Sequence, residues 1–121
     1  MKITEVKDKK TGQEFLRVPK LLYRDDPVWV CPLDKEIASI FDPNQNVYFA
    51  HGETTRWIMR DSRGRLTGRI AAFIDRNSAF GYDQPTGGVG FFECINDREA
   101  AHLLFDTAKK WLQEKGMEAM D

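Results

Sequence analysis

Residues 87–116 read GGVGFFECINDREAAHLLFDTAKKWLQEKG, and this stretch decides the fold. It has the order of a buried strand, a capped turn, a long amphipathic helix and a glycine stop. Val89 to Ile95 is apolar apart from Gly90 and Glu93, as a strand covered on both faces would be. Asn96 is placed to cap the helix, with Glu99 three residues on as its capping-box partner. Ala101, Leu104, Phe105, Ala108, Trp111 and Leu112 recur at three- and four-residue spacing and form one apolar stripe. Lys109, Lys110 and Lys115 lie in the last turns, where cations suit the helix dipole. Gly116 stands where a left-handed residue closes a helix. Many α/β proteins hold a phosphate or a cofactor with such a strand–turn–helix unit.

Outward from this unit, the clearest element is a hairpin. Its arms are Glu53–Asp61 and Arg65–Asp75, and Ser62-Arg63-Gly64 supplies the polar, glycine-containing loop. In the second arm Ile70, Ala72 and Ile74 share one face, while Arg69, Ala71, Phe73 and Asp75 share the other, so both faces call for cover. Residues 77–88 form a loop long for a compact domain. Nearer the start, Lys2–Lys7 predicts a short strand, Asp8–Gly12 a turn, and Gln13 to about Arg17 a short helix. Pro19 should break or restart that helix, which ends near Asp26. The segment DPVWVCPL, residues 26–33, is extended, with Trp29 packed onto the domain. Asp34–Phe41 predicts a second short helix, stopped by Asp42-Pro43-Asn44, and Val47–Gly52 a brief extended piece. Met117–Asp121 opens a further strand. Such a strand requires a sheet partner, so the chain is expected to be the front part of a longer fold.

A length of 121 residues gives a single domain, 1–121. With 18 basic and 19 acidic residues the net charge is −1, which offers no electrostatic footing for nucleic acid or an anionic membrane. The basic residues between Arg56 and Arg76 alternate with Asp61 and Asp75 and read as a solvated hairpin face. Cys31 and Cys94 read as free thiols, Cys94 as a small buried apolar residue. The charged N-terminus has no apolar leader core and no run reaches transmembrane length, so a cytoplasmic protein is expected.

Glu93 is the sharpest candidate for chemistry. A carboxylate set in an apolar strand can act as a general base toward an amine; its bland role is to meet Arg69 across the sheet or to face solvent. Arg69 in a covered strand requires a partner, Glu93 or Asp75 before a substrate anion. His51 and His102 have no cysteine or carboxylate at metal-ligand spacing, so no metal is expected. Gly87-Gly88-x-Gly90 precedes its strand, which excludes a phosphate loop and leaves a turn and a close strand approach. The tryptophans and tyrosines are dispersed, as core and rim residues are.

The order of strand, helices, hairpin, strand, long helix and strand resembles the front half of the GCN5-related N-acetyltransferase (GNAT) fold, a mixed and mainly antiparallel sheet flanked by helices. The segments Val18-Pro19, Asp26-Pro27-Val28-Trp29-Val30, Phe41-Asp42-Pro43, Gly68-Arg69-Ile70-Ala71-Ala72-Phe73-Ile74-Asp75 and Gly90-Phe91-Phe92-Glu93-Cys94 resemble a bacterial family of uncharacterised GNAT-like proteins whose members are considerably longer. The resemblance implies acetyl-CoA or another acyl-CoA as cofactor, an amine as substrate, and Glu93 or a residue beyond this chain as base. It places the pyrophosphate at Ile95, Asn96, Asp97 and Arg98, after the central strand, where typical members carry a glycine-rich loop. This chain departs from the pattern: it has no glycine there, and Asp97 and Glu99 bring negative charge, against Arg98 alone. A non-catalytic binding module and self-association through an open sheet edge therefore stand beside acyl transfer.

Overall fold

A computed structural model of the protein describes residues 1–24, 37, 41, 52–75, 86–117, 119 and 120. The expectations for Trp29 and Cys31, for most of the second short helix, for His51 and for most of the loop before Thr86 lie outside the described residues. The elements are β1 (Lys2–Glu5), α1 (Lys9–Leu22), β2 (Gly52–Arg60), β3 (Leu66–Asp75), β4 (Thr86–Cys94), α2 (Arg98–Glu114) and β5 (Ala119–Met120). The strands form one sheet in chain order. Its first four members are antiparallel. β5 pairs parallel to β4, with Thr86 opposite Ala119 and Gly87 opposite Met120. No described helix is long and apolar enough to cross a membrane.

Both faces of β3 are covered, as its sequence requires. Ile70, Ala72 and Ile74 pack with Trp57 and Met59 against α2. On the other face, Ala71 and Ile58 meet Phe15 of α1 and Ile37, with Phe41, Phe73 and Phe91 alongside. The fully sunken row of α2 is Ala100, Leu104, Ala108 and Leu112; Ala101, Phe105 and Trp111 flank it, half-buried. Two glycines let α2 lie this close to the sheet. A Cβ on Gly68 would stand 2.7 Å from Leu104 Cδ1, and one on Gly87 2.4 Å from Leu112 Cδ2. The glycine-rich run is thus part of β4, which begins at Thr86, three residues before the predicted strand.

The cap of α2 falls one residue later than the sequence reading places it. Asp97, not Asn96, is the N-cap, and its Oδ1 accepts from the amides of Glu99 (2.9 Å) and Ala100 (3.4 Å). At the other end, Gly116 takes φ of +89°, its amide donates to the Gln113 carbonyl, and the Met117 amide donates to that of Leu112. This is a Schellman closure, and the buried Met117 completes it by packing into the same cluster as Leu112.

Two expectations for α1 are corrected. Its start is Lys9, within the predicted turn, because Asp8 and Thr11 form a reciprocal capping box. Pro19 does not break it. A proline at this position leaves the Phe15 carbonyl without the amide four residues on. Arg69 Nη1, reaching from β3, donates to that carbonyl at 3.0 Å. The helix runs through the proline because a side chain replaces the missing donor.

Candidate functional site

The ladder between β3 and β4 slips by one residue. Arg69 faces Glu93 and Ala71 faces Gly90, so Phe91 and Phe92 both stand opposite Ile70. Within this bulge Phe91 has φ of +53°, a conformation that costs a non-glycine residue about 1–3 kcal/mol. Its carbonyl accepts from Arg69 Nε at 3.0 Å. The guanidinium carbon of Arg69 also lies 4.7 Å from the Phe15 ring centroid and 5.8 Å from that of Phe91. Among the contacts of this buried side chain are thus main-chain carbonyls of two irregular elements and two aromatic faces.

Directly across from Arg69, Glu93 is half-buried on the α1 side of the sheet. Its Oε2 accepts from the hydroxyl of Tyr23, the C-cap residue of α1. Glu93 thus meets a tyrosine, where the sequence suggested Arg69 or open solvent. Tyr23 is the partner of Glu93 that sequence reasoning missed. Seventy residues separate the pair, and no local pattern links them; the available hint was a polar-tipped aromatic at the end of a helix.

The residues implied as a cofactor loop, Ile95, Asn96, Asp97 and Arg98, do lie together in a shallow depression with Phe92 and Cys94. They do not fit a pyrophosphate in the usual manner. The free amides of a helix N-terminus make it an anion site, and here the Asp97 carboxylate already occupies those of Glu99 and Ala100. The Cys94 thiol donates to the Ile95 carbonyl at 3.1 Å. Burial, and secondarily the charge of Asp97, raise its pKa, which disfavours the thiolate. Among the described residues no group of three His, Cys, Asp or Glu side chains converges as a metal site would require.

The hairpin face is less solvated than its charges suggested. The Arg56 guanidinium stacks 4.3 Å from the Phe41 ring centroid, and burial holds its pKa below the ordinary arginine value. On the same side of the sheet, a groove of about 610 Å³ separates the C-terminal half of α1 from the β2–β3 turn.

A four-stranded antiparallel meander carrying a bulged fourth strand, a helix on each face and a parallel fifth strand defines the GNAT-like acetyltransferase fold, and the chain has that fold. A predicted acetyltransferase from Clostridium acetobutylicum, solved with acetyl-CoA, matches with a TM-score of 0.67 over 99% of this chain and 79% of that one, at 14% identity. Relatives by sequence are more specific. Protein YghO of Escherichia coli K12 is 32% identical over 105 residues, covering 84% of this chain and 26% of YghO. The bacterial ceramide synthase of Caulobacter vibrioides is 30% identical over 121 residues, covering 96% of this chain and 30% of the synthase. The chain therefore spans 26–30% of the length of these homologues. No protein-family model matches it.

Proposed function

We propose that the chain carries the amine-handling side of a GNAT-like N-acyltransferase, with Glu93 as proton acceptor and Tyr23 as the residue that positions it. The observation that carries this reading is the Tyr23–Glu93 hydrogen bond beside the β4 bulge. An amine nitrogen bonding to an acyl carbon must lose a proton, and a half-buried carboxylate on a rigid strand can take it. Tyr23 engages Oε2 and so leaves Oε1 as the oxygen to face the amine. The ceramide synthase relative supports a fatty acyl group as the moiety transferred, since ceramide is a fatty-acid amide. Acyl-CoA is the donor class favoured by the neighbour solved with acetyl-CoA. Its phosphates do not fit the Asp97-capped loop, so no step is assigned there.

That same cap favours a second reading, a GNAT-like module that binds or assembles without catalysis. The native gene product separates the two when assayed with palmitoyl-CoA and a long-chain primary amine, thiol release being followed. Under the catalytic reading Glu93→Gln lowers kcat by about 100-fold or more, and Tyr23→Phe lowers it less while displacing the pH profile. Full activity in Glu93→Gln would remove Glu93 from the chemistry. An inactive parent that folds normally would leave the binding module.

A further inference from the structure

We infer that Arg69 is a positioning residue for the Tyr23–Glu93 pair, fixing at once the strand that carries the carboxylate and the helix that carries the tyrosine. Its bearing on catalysis rests on the role given to Glu93 above; the placement of the pair does not. On the strand side, Gly90 stands opposite Ala71 and Glu93 opposite Arg69, and Ala71 and Arg69 both face α1. Side chains alternate along a strand. Positions 90 and 93 therefore share the α1 face only because the bulge between them holds one extra residue. A flattened bulge would turn Glu93 toward α2. The left-handed residue of that bulge is Phe91, and Arg69 Nε donates to the Phe91 carbonyl at 3.0 Å. The arginine thus holds the irregularity that decides which face Glu93 occupies.

On the helix side, Nη1 of the same guanidinium donates to the Phe15 carbonyl that Pro19 sets free. Phe15 and Tyr23 are eight residues apart, about 12 Å along a helix axis, so a tie at Phe15 sets how far along the sheet Tyr23 reaches. The Tyr23 amide donates to the Pro19 carbonyl at 2.9 Å, which keeps the C-cap in register with the helix. Burial of Phe15 and Val18 resists separation of α1 from the sheet but not sliding, because apolar burial is non-directional. Glu14, paired with Arg60, ties the helix to β2. Arg69 ties it to the strand that bears Glu93. The planar guanidinium fork suits this task, since it presents Nε and Nη1 in fixed relative directions as an ammonium cannot.

The test is made in a Pro19→Ala background, where an alanine amide can serve Phe15 and loss of the arginine is better tolerated. Pro19→Ala/Arg69→Gln is compared with Pro19→Ala; if it does not fold, Arg69→Lys in the same background carries the same expectation. The first readout is the nuclear Overhauser contact between the Tyr23 ring and the Glu93 side chain. It should be present in the parent and in Pro19→Ala, and lost when the arginine is replaced. The second is the kinetics of the native gene product with palmitoyl-CoA and a long-chain primary amine. Replacing the arginine should lower kcat as much as Tyr23→Phe does, with KM held within about twofold, and adding Tyr23→Phe should then cost nothing more. A role confined to stability would lower the urea midpoint, keep the contact in folded molecules and let the two kcat losses multiply. A Tyr23–Glu93 contact that persists without the arginine overturns the inference, whatever the activity. A contact that depends on the arginine in a parent without acyl transfer supports the positioning and removes only the chemistry assigned to Glu93.

Discussion

Pro19 and Phe91 each leave a main-chain carbonyl that its own element cannot satisfy, one in α1 and one in the β4 bulge. Arg69 donates to the proline-freed carbonyl of Phe15 and to the carbonyl of Phe91 itself. At 4% exposure it does so away from water, where an unsatisfied acceptor is expensive. Arg69→Met should therefore destabilise the protein by about 2–4 kcal/mol, read as a lower urea midpoint. In a Pro19→Ala background the loss should be about 1 kcal/mol smaller, because an alanine amide can then serve Phe15. A double-mutant cycle in urea measures the difference; additive losses would show that the proline and the arginine act independently. The sequence made Arg69 visible as a buried charge in want of a partner. It hid which partner, because Phe15 is 54 residues away and carbonyls carry no residue identity.

Among the elements, α2 and the hairpin were legible because their signals are local. The helical period, the Gly116 stop and the Ser62-Arg63-Gly64 loop each sit within one turn of what they determine. The cap of α2 was missed by one residue because Asn96 and Asp97 are both good capping types. Which of them caps is fixed by the sheet, which seats Ala100 and Leu104 in the core. Asp97→Ala should cost about 1 kcal/mol, seen in thermal melts, while uncovering the amides of Glu99 and Ala100. Gly68→Ala should cost about 1–3 kcal/mol, since the added carbon meets both Leu104 and the Glu93 carbonyl. In the hairpin turn, the Arg65 amide first, with the Arg63 amide and the Arg65 side chain, holds the Asp61 carboxyl below the usual aspartate value. Its folded pKa lies below the unfolded one, so the turn is supported above the ordinary aspartate range and loses that support as pH falls through the folded value. Amide exchange at Arg65, corrected for intrinsic rates, should then rise on acidification, and Asp61→Asn should abolish the pH dependence.

At the scale of the whole molecule, strand order follows chain order; the β2–β3 pair was readable from its hairpin, whereas β1 meets β2 only after the chain has passed through α1. The β4–β5 pair is different: it is parallel, reached across α2, and only two residues long. Native-state hydrogen exchange should open it first and the β2–β3 ladder last, since opening free energies track the packing around each element. The site was less legible than the fold. Glu93 stood out as a polar residue in an apolar strand, whereas Tyr23 reaches it only once α1 lies across the sheet.

The contact between Arg69 and the Phe15 carbonyl also carries an evolutionary expectation. A lineage that exchanges Pro19 for a residue with an amide relieves one demand on the arginine, and a lineage that first loses the arginine leaves the proline exposed to selection. Positions 19 and 69 should therefore drift as a pair across descendants, although neither side chain touches the other as a recognisable couple.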